Sequence, residues 1–396
     1  MTNEPVAQST SSEVAYHDPE PFEMTAQGLD LRFVPAGPDR LDTLVGLIDG
    51  ANTRVRLCFY IFADDASGIR VRDALTRAAK RGVDVHLIID GFGAEASKEF
   101  FRSLTDAGGS FHEFSAKWSR RYLIRNHQKI VLVDGKTAMI GGFNVQDAYF
   151  DTPDCNGWHD LGVVVRGEAV DMLAKWYDEL NDWVCRPNAQ FRAIRRKVRE
   201  WNPGEGTVRL LIGGPTRGLS SWARCVGKDL AEGDRLDMVM AYFSPPKRLT
   251  RRIGRMASGD KARLVMAGKS DNAATIGATR SLYRYLLKRG ADIHEFAPCK
   301  LHMKLIVIDD AVYIGSANFD MRSLYLNLEL MLRIEDAALA ARMREFIELH
   351  LPASKHVTVE SHRAQNTLWN RIRWNLSWFL VSVVDYTVSR RLNLGL

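Results

Sequence analysis

Long apolar runs are missing from this sequence. No stretch reaches the roughly 18 apolar residues that a membrane-crossing helix needs. The opening segment is polar and acidic through Glu23, with serine, threonine and proline but no apolar core, so it does not read as a secretory leader. Cysteine is scarce as well. The five residues Cys58, Cys155, Cys185, Cys225 and Cys299 are odd in number and widely spread, without C-x-x-C or Cys/His ligand spacing. Neither a disulfide framework nor a zinc site is indicated, and a reducing cytoplasm is the simplest setting. An acidic excess is absent too: the net charge is +6 and the pI about 9.0. That balance suits a partner carrying phosphate, whether nucleic acid or anionic lipid headgroups, and equally a mildly basic protein with no such partner.

What is present is a stretch that occurs twice. The first copy is Asn126-His127-Gln128-Lys129 followed by Ile130-Val131-Leu132-Val133-Asp134 and then Gly141-Gly142-Phe143-Asn144. The second is Leu301-His302-Met303-Lys304 followed by Leu305-Ile306-Val307-Ile308-Asp309 and then Gly315-Ser316-Ala317-Asn318. Both read H-x-K-x4-D and then G-[GS]-x-N, and the histidines stand 175 positions apart. One such motif recurs by chance in long chains; two with the same tail do not.

The surrounding order repeats as well. In the first half, strand-like Leu29–Val34 and a Pro/Gly turn at 35–38 lead to a helical stretch 41–48 and the strand-like run Val55–Phe62. A helix over 68–81, a buried strand over 83–90, a helix over about 95–107 and a short strand Phe111–Phe114 follow. Val208–Pro215, Met238–Ser244, Ala262–Met266 and Ile293–Phe296 answer these elements in the second half. With 396 residues, 46% apolar and 26% charged, the chain suits a duplicated α/β protein. The expected fold is two tandem pseudo-symmetric domains, each a mixed β-sheet flanked by helices, with the active site at their interface. The expected bounds are a flexible tail over 1–27, domains over 28–203 and 204–352, and a C-terminal amphipathic helix over 353–396. The first half is seven residues longer before its histidine, through a basic, aromatic insertion (Lys117-Trp118-Ser119-Arg120-Arg121-Tyr122).

Alternate residues of a strand share a face, so His127 with Lys129, and His302 with Lys304, point together from rigid elements. Phosphodiester chemistry makes use of that set. Lys129, Lys304, Asn144 and Asn318 can bind and neutralise a diester anion without a metal or other cofactor. One imidazole can attack phosphorus, giving a phosphohistidine, while the other protonates the leaving alcohol and later deprotonates the acceptor. Asp160 and Glu329, at comparable distances downstream, are candidates to orient the histidines. Asp134 and Asp309 complete the repeated motifs and are counted with the catalytic set, although strand ends before turns also favour a structural role.

These motifs resemble the phospholipase D superfamily over about residues 28–350. The tail Asn318-Phe319-Asp320-Met321-Arg322-Ser323-Leu324-Tyr325-Leu326-Asn327-Leu328-Glu329 is similar to that of bacterial cardiolipin synthases, as are Gly141–Asn144 and Trp158-His159-Asp160. The resemblance implies ping-pong phosphatidyl transfer making cardiolipin or phosphatidylglycerol, with His127 as nucleophile and His302 as acid and base. The residues alone are too symmetric to choose between the histidines. The expected substrates are phosphatidylglycerol and phosphatidylethanolamine. Hydrolysis to phosphatidic acid is the alternative, and cleavage of nucleic acid a more distant one that the basic insertion would serve. The sequence looks like the shorter type of synthase without N-terminal membrane helices. Leu368, Trp369, Ile372, Leu376, Phe379 and Val383 fall on one helical face, with Trp374 and Trp378 beside it and arginines at 363, 371, 373, 390 and 391. Such a helix suits a membrane surface or packing on the protein. The expected location is cytoplasmic, peripheral to the inner membrane.

Overall fold

The structure, a computed structural model, describes residues 16–115, 124–187, 190–216 and 218–381. Two eight-stranded mixed sheets dominate it. The central strands Ile130–Val133 and Lys304–Ile308 are buried at every position, which explains why Ile130–Val133 and Leu305–Ile308 are apolar throughout rather than alternating. Each central strand pairs antiparallel with the strand after it (Thr137–Gly141 or Ala311–Gly315). On its other side each meets an earlier strand (Arg54–Phe59 or Leu236–Met240), also antiparallel. Beyond these, Asp84–Asp90 and Ser110–Phe114 extend the first sheet in parallel, as Ala262–Ala267 and Asp292–Phe296 extend the second.

The two sheets therefore share one strand order, with a single added strand at opposite ends. In the first sheet the addition is Phe22–Ala26, and in the second it is Ser354–Val357. Both additions correct expectations. The N-terminal tail does not extend to residue 27: Phe22–Ala26 pairs with Leu29–Val34, and Phe22 stacks on Phe33 at 4.7 Å. Residues 1–15 lie outside the described residues. Likewise the segment after residue 352 begins as a strand of the second sheet, not as a helix. Gly37 and Pro38, expected in a turn, open the helix Gly37–Asp49, because proline's fixed φ suits a first helical turn. The helix expected over 95–107 is reduced to the short turns Glu99–Phe101 and Arg102–Asp106.

Three apolar clusters organise the layers. One lies between the outer face of the first sheet and its helices Gly37–Asp49 and Ala66–Lys80, and a second does the same for the other half. The third is shared. Ile130 and Leu132 of the first half, Leu305 and Val307 of the second, and the helices Ala169–Cys185 and Ala337–Glu348 all contribute to it. This common core brings the starts of the two central strands to one place.

Candidate active site

Each histidine segment is joined to the opposite half of the molecule. The His127 amide donates to the Leu328 carbonyl at 2.9 Å, and the Leu328 amide donates to the Arg125 carbonyl at 2.9 Å. In the other half-site Lys300–Leu301 pairs in parallel with Trp158–His159, and the His302 amide donates to the His159 carbonyl at 2.8 Å. The carboxylates follow from this crossing. His127 Nδ1 lies 3.2 Å from Glu329 Oε2, and His302 Nδ1 lies 2.6 Å from Asp160 Oδ2. Asp160 and Glu329 thus both stand beside the histidines, each serving the histidine of the other half.

One difference between the half-sites is at Ser316. Ser316 donates its hydroxyl to Glu329 Oε2 at 2.5 Å. Its counterpart is Gly142, where an added Cβ would lie 2.7 Å from Asp160 Oδ2 and 3.0 Å from Lys304 Cδ. Glycine is needed there for close approach of the backbone, not for an unusual φ.

Burial governs the electrostatics. Both imidazoles are pushed below the ordinary histidine value by desolvation, His302 to about 3. Glu329 opposes the shift at His127; at His302 the charge of Lys304 adds to it and Asp160 opposes it. Desolvation also lowers Lys129 to about 7 and Lys304 to about 8. For Asp160 and Glu329 burial disfavours the charged form, but the facing histidines and lysines outweigh it and hold both carboxyls below their usual range. Ionised carboxylates facing neutral imidazoles fix the Nδ1 proton and leave each Nε2 lone pair available. Lys129 Nζ donates to the His127 carbonyl at 2.6 Å, and Lys304 Nζ makes the matching bond to the His302 carbonyl.

The remaining motif residues divide. Asn144 and Asn318 are buried; Asn144 Oδ1 accepts from the Ile61 amide at 3.1 Å, while Asn318 Oδ1 is buried without a hydrogen-bond partner. Asp134 and Asp309 do not join the site. Asp134 accepts from the amides of Asn52, Thr53 and Arg54, and Asp309 from those of Asp234 and Arg235. Both have positive φ, 54° and 48°, at the turn beyond the central strand. Six residues, 128–133 or 303–308, at roughly 3.3 Å each along the extended chain, separate that turn from the imidazoles. Burial opposes ionisation at Asp134, but its backbone donors prevail and hold it far below the ordinary carboxylate range.

Several supporting residues lie outside the repeated motifs. Arg40 is fully buried and donates to the carbonyls of Asp160 at 2.6 Å, Tyr149 at 2.7 Å and Trp158 at 3.1 Å, so it shapes the loop that carries Asp160. Gln128 links the Glu329 carbonyl (3.1 Å) to the Trp176 indole (2.9 Å). Tyr149 and Trp158 stand edge-on to His302 with ring centroids at 5.0 and 5.2 Å, and Tyr60 lies 5.1 Å from His127. Behind the site His159 bonds Asp18 at 2.6 Å and His350 at 2.7 Å. Beyond Trp158 and His159, the signal in the sequence is Arg40, a charge on the apolar side of its helix beside Leu41 and Leu44.

Two half-sites, each completed by the other domain of a duplicated α/β fold, define an enzyme of the phospholipase D type. The chain belongs to the phospholipase D superfamily, and within it to the family described as "Cardiolipin synthase, PLD-like domain", whose pattern matches residues 44–182 and 229–350. It is 31% identical to the major cardiolipin synthase ClsA of Bacillus subtilis over 363 residues, covering 88% of this chain and 74% of that protein. It is 29% identical to cardiolipin synthase 1 of Bacillus cereus, covering 74% of this chain but only 61% of that longer protein. Among solved structures, phosphatidylserine synthase of Haemophilus influenzae superposes with a TM-score of 0.74 at 14% identity, over 93% of this chain and 96% of that one. That likeness concerns the fold.

Proposed function

We propose that the chain is a phosphatidyltransferase that makes cardiolipin or phosphatidylglycerol by ping-pong transfer through a phosphohistidine. The crossed pairing of His127 with Glu329 and His302 with Asp160 carries this reading. His127 Nε2 attacks the donor phosphorus while the charged lysines and the Asn144 and Asn318 amides hold the phosphoryl oxygens. His302 gives a proton to the departing alcohol. It then takes one from the acceptor hydroxyl, which attacks phosphorus and frees His127. Binding of the diester anion raises the proton affinity of His302 and of both lysines, so the acid form arises in the complex. His127 takes the nucleophile's part because its side chain is 13% exposed against 5% for His302. The enclosing rings of Tyr60, Tyr149 and Trp158 disfavour water as acceptor, which supports transfer over hydrolysis.

The substrates would be phosphatidylglycerol and phosphatidylethanolamine, met at the cytoplasmic face of the inner membrane. Among the described residues no helix is long and apolar enough to cross a membrane. The helix Leu368–Phe379 turns Trp374 inward onto the His362 ring at 5.4 Å. Its other side leaves Leu368, Trp369, Ile372, Leu376 and Phe379 exposed beside Arg371 and Arg373. That combination suits the headgroup region of an anionic bilayer. Val383 and the arginines at 390 and 391 lie outside the described residues, as does the basic insertion at 117–122 that would have served nucleic acid.

Mass spectrometry of lipid products tests the reading. Phosphatidylglycerol vesicles, alone or with phosphatidylethanolamine or glycerol, are expected to yield cardiolipin or new phosphatidylglycerol. Phosphatidic acid alone would make the protein a phospholipase. His127→Ala is expected to abolish the trapped intermediate, and His302→Ala to slow its release.

A further inference from the structure

The edge of the second sheet carries a group of ligands that the phosphodiester chemistry does not use. Asp292 and His294 share one face of the strand Asp292–Phe296, and His356 sits directly across from His294 on the added strand Ser354–Val357. His294 Nε2 lies 2.8 Å and His356 Nε2 3.2 Å from the same atom, Asp292 Oδ1. The imidazoles are stacked with centroids 4.8 Å apart, and the three ligand atoms lie within 4.8 Å of one another. Arg263 approaches the other carboxylate oxygen, Oδ2, at 3.4 Å, which leaves Oδ1 to face the histidines.

We propose that Asp292, His294 and His356 form a binding site for a first-row divalent transition-metal ion, zinc foremost, that clamps the strand Ser354–Val357 to the second sheet. An ion bonded at about 2.0–2.1 Å to each ligand in tetrahedral geometry sets the ligand atoms roughly 3.3 Å apart. The two separations to Oδ1 already approach that spacing, and His356, 58% exposed, is free to complete it by a small rotation. Two imidazoles with one carboxylate favour borderline ions such as zinc over calcium or magnesium, which prefer all-oxygen sets. The site is separate from the catalytic pairs, because its strand stands three places along the sheet from Lys304–Ile308. Among the described residues the first half has no counterpart of it. There the repeat places Ser110 where the second half has Asp292, and His112 meets Cys185 Sγ at 3.5 Å instead of a second imidazole. The clamped strand leads directly into the helices Val359–Gln365 and Leu368–Phe379, so metal would steady the C-terminal region.

Zinc titrated into full-length protein without an affinity tag, after chelator treatment, tests the site by calorimetry and by Tm. One equivalent should bind, Tm should rise, and amide exchange along Ser354–Val357 should slow. His356→Ala, a change at an exposed position whose fold is checked by circular dichroism, should weaken zinc by more than the roughly 10–100-fold that an outer partner of a metal site is worth. Asp292→Asn should weaken it as well, and calcium or magnesium should not reproduce the shift. The proposal is overturned if wild-type protein binds no zinc, if the bound zinc is retained in His356→Ala but lost in His302→Ala, or if calcium binds equally well.

Discussion

At the residue scale the site depends on groups kept in the protonation state that burial imposes. In the free enzyme Lys129 and Lys304, lowered to about 7 and about 8, lose their charge as pH rises through those values. His127, held below 6.5, gains a proton only on the acid side. A profile of kcat/KM, which reports the free enzyme, should therefore fall above about pH 7 to 8 and again below the ordinary histidine range. The alkaline limb of kcat should lie higher, since the bound diester restores lysine charge. An alkaline limb of kcat/KM near the ordinary lysine value of 10.5 would contradict the desolvated lysines. The carboxylates give a second test. Glu329→Gln and Asp160→Asn preserve shape but remove the charge that fixes each imidazole, and each should lower kcat by about two to four orders of magnitude with KM little changed. Unchanged kcat in both would separate the carboxylates from the chemistry.

At the scale of elements, the central strands act as rigid carriers. Their apolar interiors are locked between two layers, and function is displaced to their ends, with the histidine at one end and the turn-capping aspartate at the other. That explains why Asp134 and Asp309 recur in both copies without touching the imidazoles: each ties the turn to the neighbouring strand's entry. The helix Leu368–Phe379 is a different kind of element, anchored by buried Trp374 on one side and apolar along its exposed one. Burying a side chain of Trp or Ile size stabilises by about 1.5–3 kcal/mol when complete. Trp369→Glu with Ile372→Glu should accordingly weaken binding to anionic vesicles by about tenfold or more, with Tm unchanged. Sedimentation with vesicles measures this; equal binding by wild type and variant would remove the helix as the membrane contact.

At the scale of the whole molecule, the crossing of carboxylates makes neither half self-sufficient. The shared apolar cluster couples them mechanically, and Leu328 and His159 couple them through backbone hydrogen bonds. Thermal unfolding is expected to be a single transition whose calorimetric and van't Hoff enthalpies agree. Two resolved transitions would show that the halves fold independently and only dock.

The amino-acid sequence by itself determined the duplication, the alternation of strands and helices, and the residue types gathered at the site, because a repeat of fixed spacing and apolar periodicity are local signals. It marked His127, Lys129, His302, Lys304, Asn144, Asn318, Asp160 and Glu329, but could not say which carboxylate serves which histidine. Asp160 follows His127 by 33 positions and Glu329 follows His302 by 27, so proximity along the chain suggests partners within each half. Only the packing of two halves about a common core exchanges them. The same holds for Arg40, whose three carbonyl partners on the Asp160 loop lie more than a hundred positions away, and for His294 with His356, 62 positions apart, where no ligand spacing can show. Local periodicity records the environment of each segment. Which segments meet is decided by burial of the shared core, a property of the folded chain as a whole.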